Sequence, residues 1–179
     1  MAGGITQHYA HVVSTAARST LKRYFEINLA ASWSGQAASL PGAGDFFLGV
    51  TDAIPATETT APPGKVWCPV HGAVVGGLAG LPTLTNPISS IVGVALDFVA
   101  LKMWFSFGGV WVGDPVAGTG ESTTLAAATP YYAYAACGGN RLNNTPTTFP
   151  NITMDVILRT RNAQFTYAKP TGYVSFATP

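Results

Sequence analysis

Residues 90–111, "SIVGVALDFVALKMWFSFGGVW", decide the fold. In "VGVALDF" the alternation puts Val92, Val94 and Leu96 on one face of a strand, with Asp97 at its end. Further on, Met103 and Phe105 point one way and Trp104 and Ser106 the other, which makes a second strand. Gly108 and Gly109 supply the positive φ that a hairpin needs. An aspartate at a strand end accepts backbone N–H groups in the turn, so Asp97 reads as structural rather than catalytic.

The rest of the chain repeats this pattern. Short runs of β-formers alternate with turn clusters, as in an all-β sandwich or barrel. Strands are expected near 8–14, 23–31, 44–51, 65–75, 90–97, 102–107, 131–137, 153–159 and 163–168. Residues 14–23, "STAARSTLKR", contain helix formers but no apolar stripe at helical spacing. Three stretches read as long loops: 52–64, rich in Pro and Thr; 113–130, with Gly and Asp-Pro; and 138–151, polar and glycine-rich. No internal repeat or linker divides the 179 residues, so a single domain over 1–179 with a short N-terminal arm (about 1–8) is expected.

Composition narrows the function classes. The chain is 47% hydrophobic and only 9% charged, against about 25% charged in an average soluble domain. Its surface must therefore be built from Thr, Ser, Asn, Ala and Gly. A formal net charge of +1 removes the electrostatic case for nucleic-acid binding. The most apolar run, 91–107, carries Asp97 and Lys102 and breaks into two strands, so no membrane insertion is expected. The start lacks a basic segment followed by an apolar one, so no signal peptide is expected. Cys68 and Cys137 are then expected to be reduced and mostly buried, rather than paired.

The segment 90–111 resembles the SPRY domain, a β-sandwich module found in ryanodine receptors, tripartite-motif proteins and many bacteriophage proteins. Gly93, Val94, Leu96 and Asp97 match its Gly-Val-x-Leu-Asp strand end; Lys102, Met103, Trp104 and Phe105 match the aromatic-rich strand that follows. Gly108 and Gly109 stand where Asn-Gly is usual. "ARSTLKRYFEINL" is similar to the family's early strand, through Tyr24, Phe25, Glu26 and Ile27, and "AQFTYAKPTGYVSF" to its closing run. "GVWVGDPVAGTGE" resembles the bacteriophage versions in particular. The resemblance spans roughly residues 9–176 and implies an antiparallel, concanavalin-like jelly-roll sandwich with long loops and little helix.

Departures from that family point to a covered surface. Its hairpin turn is normally polar, but here it reads Phe98-Val99-Ala100-Leu101, and Phe107 replaces a frequent Lys before the glycines. An apolar tip is covered by the protein's own loop 113–130 or by a neighbouring subunit, or else stands as an isolated exposed patch. Val99, Ala100, Leu101 and Phe107 are therefore the candidate assembly interface. Tyr132, Tyr134, Arg141, Asn143, Asn144 and Trp111 are the candidate recognition surface, since Tyr and Arg are favoured at binding hot spots. The alternative places the aromatic residues in the core with arginines at its rim.

Chemistry is sparse. Cys68-Pro-Val-His71 has a zinc-like spacer, but a structural site needs four ligands, and only Cys137, His8 and His11 remain, on distant strands. "GDPVAGTGES" lacks the lysine of a phosphate-binding loop. Glu26 is expected to pair with Arg18 or Arg23. No catalytic residue, cofactor or metal is expected. The expected function is that of a non-enzymatic bacteriophage virion protein, a capsid decoration or a tail-fibre or adhesin component. Its expected partners are other virion proteins, further copies of itself, and a host surface glycan or protein. An intracellular SPRY-type peptide-binding adaptor is the alternative, followed by a polysaccharide-acting enzyme.

Overall fold

A computed structural model describes residues 8–29, 45–54, 64–69, 74–82, 90–139 and 156–179. The described strands are β1 (His8–Val13), β2 (Lys22–Leu29), β3 (Asp45–Thr51), β4 (Lys65–Trp67), β5 (Val74–Val75), β6 (Ile91–Asp97), β7 (Lys102–Phe107), β8 (Val110–Trp111), β9 (Thr123–Thr124), β10 (Tyr132–Gly139), β11 (Val156–Arg159) and β12 (Val174–Ser175). They form two sheets. The first runs β1-β10-β3-β4-β5; the second runs β11-β2-β6-β7-β8, with β12 added to β2 and β9 to β7. All pairings are antiparallel except β12 with β2.

The core lies between the sheets, and strand alternation selects its members. Leu48, Val50, Trp67, Ala133 and Ala135 come from the first sheet. Phe25, Ile27, Leu29, Val92, Val94, Leu96, Met103 and Phe105 come from the second. The chain is thus all-β and antiparallel, with its two sheets packed about a common core. The β6–β7 hairpin forms over the expected strands and pairs Asp97 with Lys102 and Val92 with Phe107. Gly108 and Gly109 take φ of 55° and 83°. Gly109 also leaves room for the Tyr167 ring, which would lie 2.7 Å from an added Cβ.

Both sheets are apolar on their outer faces too. On the first, Phe47, Val66, Cys68, Tyr134 and Ala136 form a second cluster. On the second, Tyr24, Ala95, Trp104 and Tyr173 form a third, with Trp111 and Phe165 at its margin. Two segments lie over this last face. The 113–120 loop accepts hydrogen bonds from Trp104 Nε1 (Thr119 O, 3.0 Å), Lys102 Nζ (Gly118 O, 2.8 Å) and Tyr173 Oη (Pro115 O, 3.1 Å). The C-terminal segment is held by Glu26, whose carboxylate is fully buried. It accepts the Thr166 and Tyr167 N–H groups, both at 2.8 Å, and the Tyr24 hydroxyl at 3.0 Å.

This arrangement corrects three expectations. Residues 163–168 are not a strand: a 3₁₀ turn spans Asn162–Gln164, and the following N–H groups bond to the Glu26 carboxylate instead of a ladder. The single strand expected over 65–75 is two, β4 and β5, paired antiparallel. The ion partner of Glu26 is Arg159, at 3.7 Å, because β11 pairs beside it and places Arg159 opposite Glu26. Arg18 and Arg23 turn to backbone carbonyls at the C-terminal end instead.

Removing the carboxylate with Glu26→Ala would strand two backbone donors and the arginine, at a cost of about 3–5 kcal/mol. Chemical denaturation should show that loss, and limited proteolysis should show earlier cleavage near residues 160–168. The outer layer also makes stability pH-dependent. Burial first, then the Glu26 charge and hydrogen bond, raise the Tyr24 pKa; burial and the Asp97 and Asp114 charges raise that of Tyr173. A raised tyrosine pKa means that the folded state holds protons the unfolded state releases above about pH 10. Stability should therefore be complete below about pH 10 and fall as pH rises beyond it, with a shallower fall in Tyr173→Phe. Melting temperatures measured from pH 8 to 12 check this.

Candidate functional site

The end of the second sheet carrying the β6–β7 turn gathers three segments. Leu21 precedes β2 and accepts the Phe98 N–H at 3.2 Å. Across the turn, Leu101 accepts the Leu125 N–H at 2.8 Å. Tyr131 closes the group, with its ring stacked on Phe98 (6.3 Å, 26°) and its hydroxyl accepting the Ala126 N–H at 3.1 Å.

Asp97 fixes the turn. Its Oδ1 accepts the N–H groups of Val99 and Ala100, both at 2.9 Å, and its Oδ2 meets Lys22 Nζ at 3.0 Å. Burial alone would raise the Asp97 pKa, but the Ala100 N–H, the Lys22 ammonium and the Val99 N–H together hold it below the usual value. The tip is thereby rigid, while its outer side chains are bare: Val99 is 81% exposed and Leu21 52%. Ala100 and Ala126–Ala128 are exposed as well.

Backbone strain concentrates at the same place. Among the described residues, three non-glycines have positive φ: Leu21 (66°), Leu101 (57°) and Ala128 (56°). All three lie in these converging segments. The left-handed region costs an L-residue with a Cβ about 1–2 kcal/mol, which Gly or Asn would largely avoid.

The expected interface residues divide between two ends of the hairpin. Val99 and Ala100 are exposed, Leu101 is half-buried against the core, and Phe98 is buried. Leu125, within the 113–130 stretch, bonds to Leu101, and Tyr131 just beyond it stacks on Phe98, while Val99 stays bare. Phe107 lies five residues from Asp97 along the ladder, about 17 Å away, half-buried with its ring 4.8 Å from that of Trp67. Leu21 was not legible as a member, because nothing in "STLKRYF" reveals that its carbonyl meets the turn.

The expected recognition residues are also separated. Tyr132 is half-buried on β10, while Tyr134 is buried in the first sheet's outer cluster, stacked on His11 (6.2 Å, 20°). A buried Tyr134 cannot present its ring to a ligand; alternation on β10 turns it into that cluster. Trp111 lies on the other sheet, half-buried beside Tyr24 (6.0 Å). Arg141, Asn143 and Asn144 lie outside the described residues, as does His71. Cys68 is buried, and the side chain of Cys137 is outside the described set. No metal-binding group of three His, Cys, Asp or Glu occurs among the described residues.

No protein-family model matches this chain, and no curated protein matches it.

The strain separates two roles within the end. Leu21→Asn should raise stability by about 0.5–1 kcal/mol, since it relieves a left-handed leucine and loses little packing. Leu101→Asn should give no gain, because its half-buried side chain also leaves the core. Urea denaturation of both variants distinguishes them.

Proposed function

We propose that this chain is a non-enzymatic, SPRY-like virion protein of a bacteriophage, a decoration or tail component that docks on neighbouring subunits through the end of its β6–β7 hairpin. The observation that carries this reading is Val99, an 81%-exposed apolar residue on a turn pinned by a buried aspartate. Exposed loop tips are ordinarily polar and mobile. This one is apolar and held, with Leu21 and the Ala126–Ala128 stretch beside it. Strain kept in an apolar leucine where Gly or Asn would be easier suits a surface selected for contact.

The two antiparallel sheets and the hairpin register agree with the resemblance to SPRY domains, and the bacteriophage branch rests on the "GVWVGDPVAGTGE" tract. A surface poor in charge suits a protein held in an assembly.

Light scattering of the purified chain, alone and mixed with purified particles, tests the reading. Self-association or co-sedimentation is expected, weakened about tenfold or more by Val99→Asp, as burial of one valine at an interface implies. The melting temperature of the variant should stay within about a degree of the parent, since exposed substitutions change stability little. A monomer that ignores particles, or association indifferent to Val99→Asp, overturns the proposal.

A further inference from the structure

A cleft of about 360 Å³ lies between the β1–β2 connection and the C-terminal segment, next to the hairpin end, since the backbone of its lining residue Arg18 bridges to Tyr131. It is at the small end of the range typical of small-molecule sites, about 300–1,000 Å³. Two guanidiniums line it. Arg18 is held in place by donating from Nε to Phe176 O (3.0 Å) and from Nη2 to Ala177 O (3.3 Å), and its Nη1 has no hydrogen bond to the described residues. Arg161 is exposed, and its side chain is in no ion pair with the described residues.

A third guanidinium lies behind the floor. Arg23 is 1% exposed and donates to the carbonyls of Thr20, Ser175 and Thr178, with a 3.5 Å contact to Pro179 O. Burial and then the charge of Arg18 depress its pKa, so the two cations feel one another. Among the described residues no side-chain carboxylate is within ion-pair distance of these three arginines; Glu26 is paired with Arg159. Arg18 and Arg161 thus bring two positive charges to one concave place.

The rest of the lining is hydroxylated. Thr15 and Thr160 have hydroxyls with no partner among the described residues, while those of Ser175 and Thr178 bond to one another at 2.6 Å. A fixed guanidinium fork fits a carboxylate through two parallel hydrogen bonds, and unpartnered hydroxyls fit other hydroxyls. We propose that this cleft binds an acidic sugar, with the carboxylate on Arg18 and Arg161 and the ring hydroxyls on Thr15 and Thr160. The site shares no lining residue with the hairpin tip.

A ¹H–¹⁵N NMR titration of the full chain with glucuronate, glucose and inorganic phosphate at low salt tests it. Glucuronate should shift the amides of Thr160, Arg161 and Ala177 saturably, at least about tenfold more tightly than glucose. Arg161→Ala should weaken glucuronate about tenfold at a nearly unchanged melting temperature, because the side chain is exposed and in no ion pair with the described residues. Lys169→Ala, which removes a charge outside the cleft, should leave binding as it was. Equal binding of glucose, equal or tighter binding of phosphate, indifference to Arg161→Ala, or no saturable shift each overturns the proposal. Val99→Asp should bind glucuronate as the parent does, so the fate of hairpin docking and of the cleft are read separately.

Discussion

The layering of this molecule depends on a carboxylate withdrawn completely from water. Glu26 projects from the outer face of the second sheet, where an unpaired charge would cost several kcal/mol. Two backbone N–H groups, a phenol and a guanidinium surround it. Those four donors come from β2 itself, from β11 and from the segment after the 3₁₀ turn. Satisfying one charge therefore draws the C-terminal segment across the sheet. Phe165 then meets Tyr24 edge to face at 4.8 Å, and Tyr173 joins Trp104 in the cluster beneath.

This third layer explains the composition. A two-sheet sandwich with wet outer faces needs alternating apolar and polar strand residues. Here β2 is buried at nearly every position and β6 from its second residue onward, so apolar residues occur on both sides of the same strands. Gly93 shows how tight the outer packing is: an added Cβ would lie 2.3 Å from Ser106 Oγ and 2.9 Å from the Tyr24 hydroxyl. The high hydrophobic fraction and scarcity of charge thus arise partly from extra interior, and not wholly from an unusual surface.

What was legible in the sequence was local. Alternation in "VGVALDF" and "KMWFSF" placed the hairpin side chains correctly, and the position of Asp97 at a strand end implied its bonds to the turn. What was not legible depended on distant partners. "QFTYA" has the composition of a strand, yet its donors are taken by a side chain about 140 residues earlier. Tyr134 could be read either as a recognition residue or as core, because nothing nearby in sequence shows that its face of the first sheet is covered; the structure buries it. The arginines of the cleft meet only when Arg18 and Arg161 are brought together by the closing segment.

The parallel pairing of β12 with β2 has a consequence for how the protein is made. Residues 23 and 24 lie near the start of the chain, and their partners at 174 and 175 lie near its end. Phe176 packs on Phe25, and Arg23 has its acceptors in the last residues. During synthesis, β2 and β6 can pair early, but Tyr24, Ala95 and Trp104 stay uncovered until residues 165–173 have emerged. Such contacts between distant residues slow folding and leave an adhesive sheet face open meanwhile. Completion of the outer layer thus waits for residues 165–176, and a nascent chain stalled before residue 165 would be a target for chaperones rather than a folded intermediate.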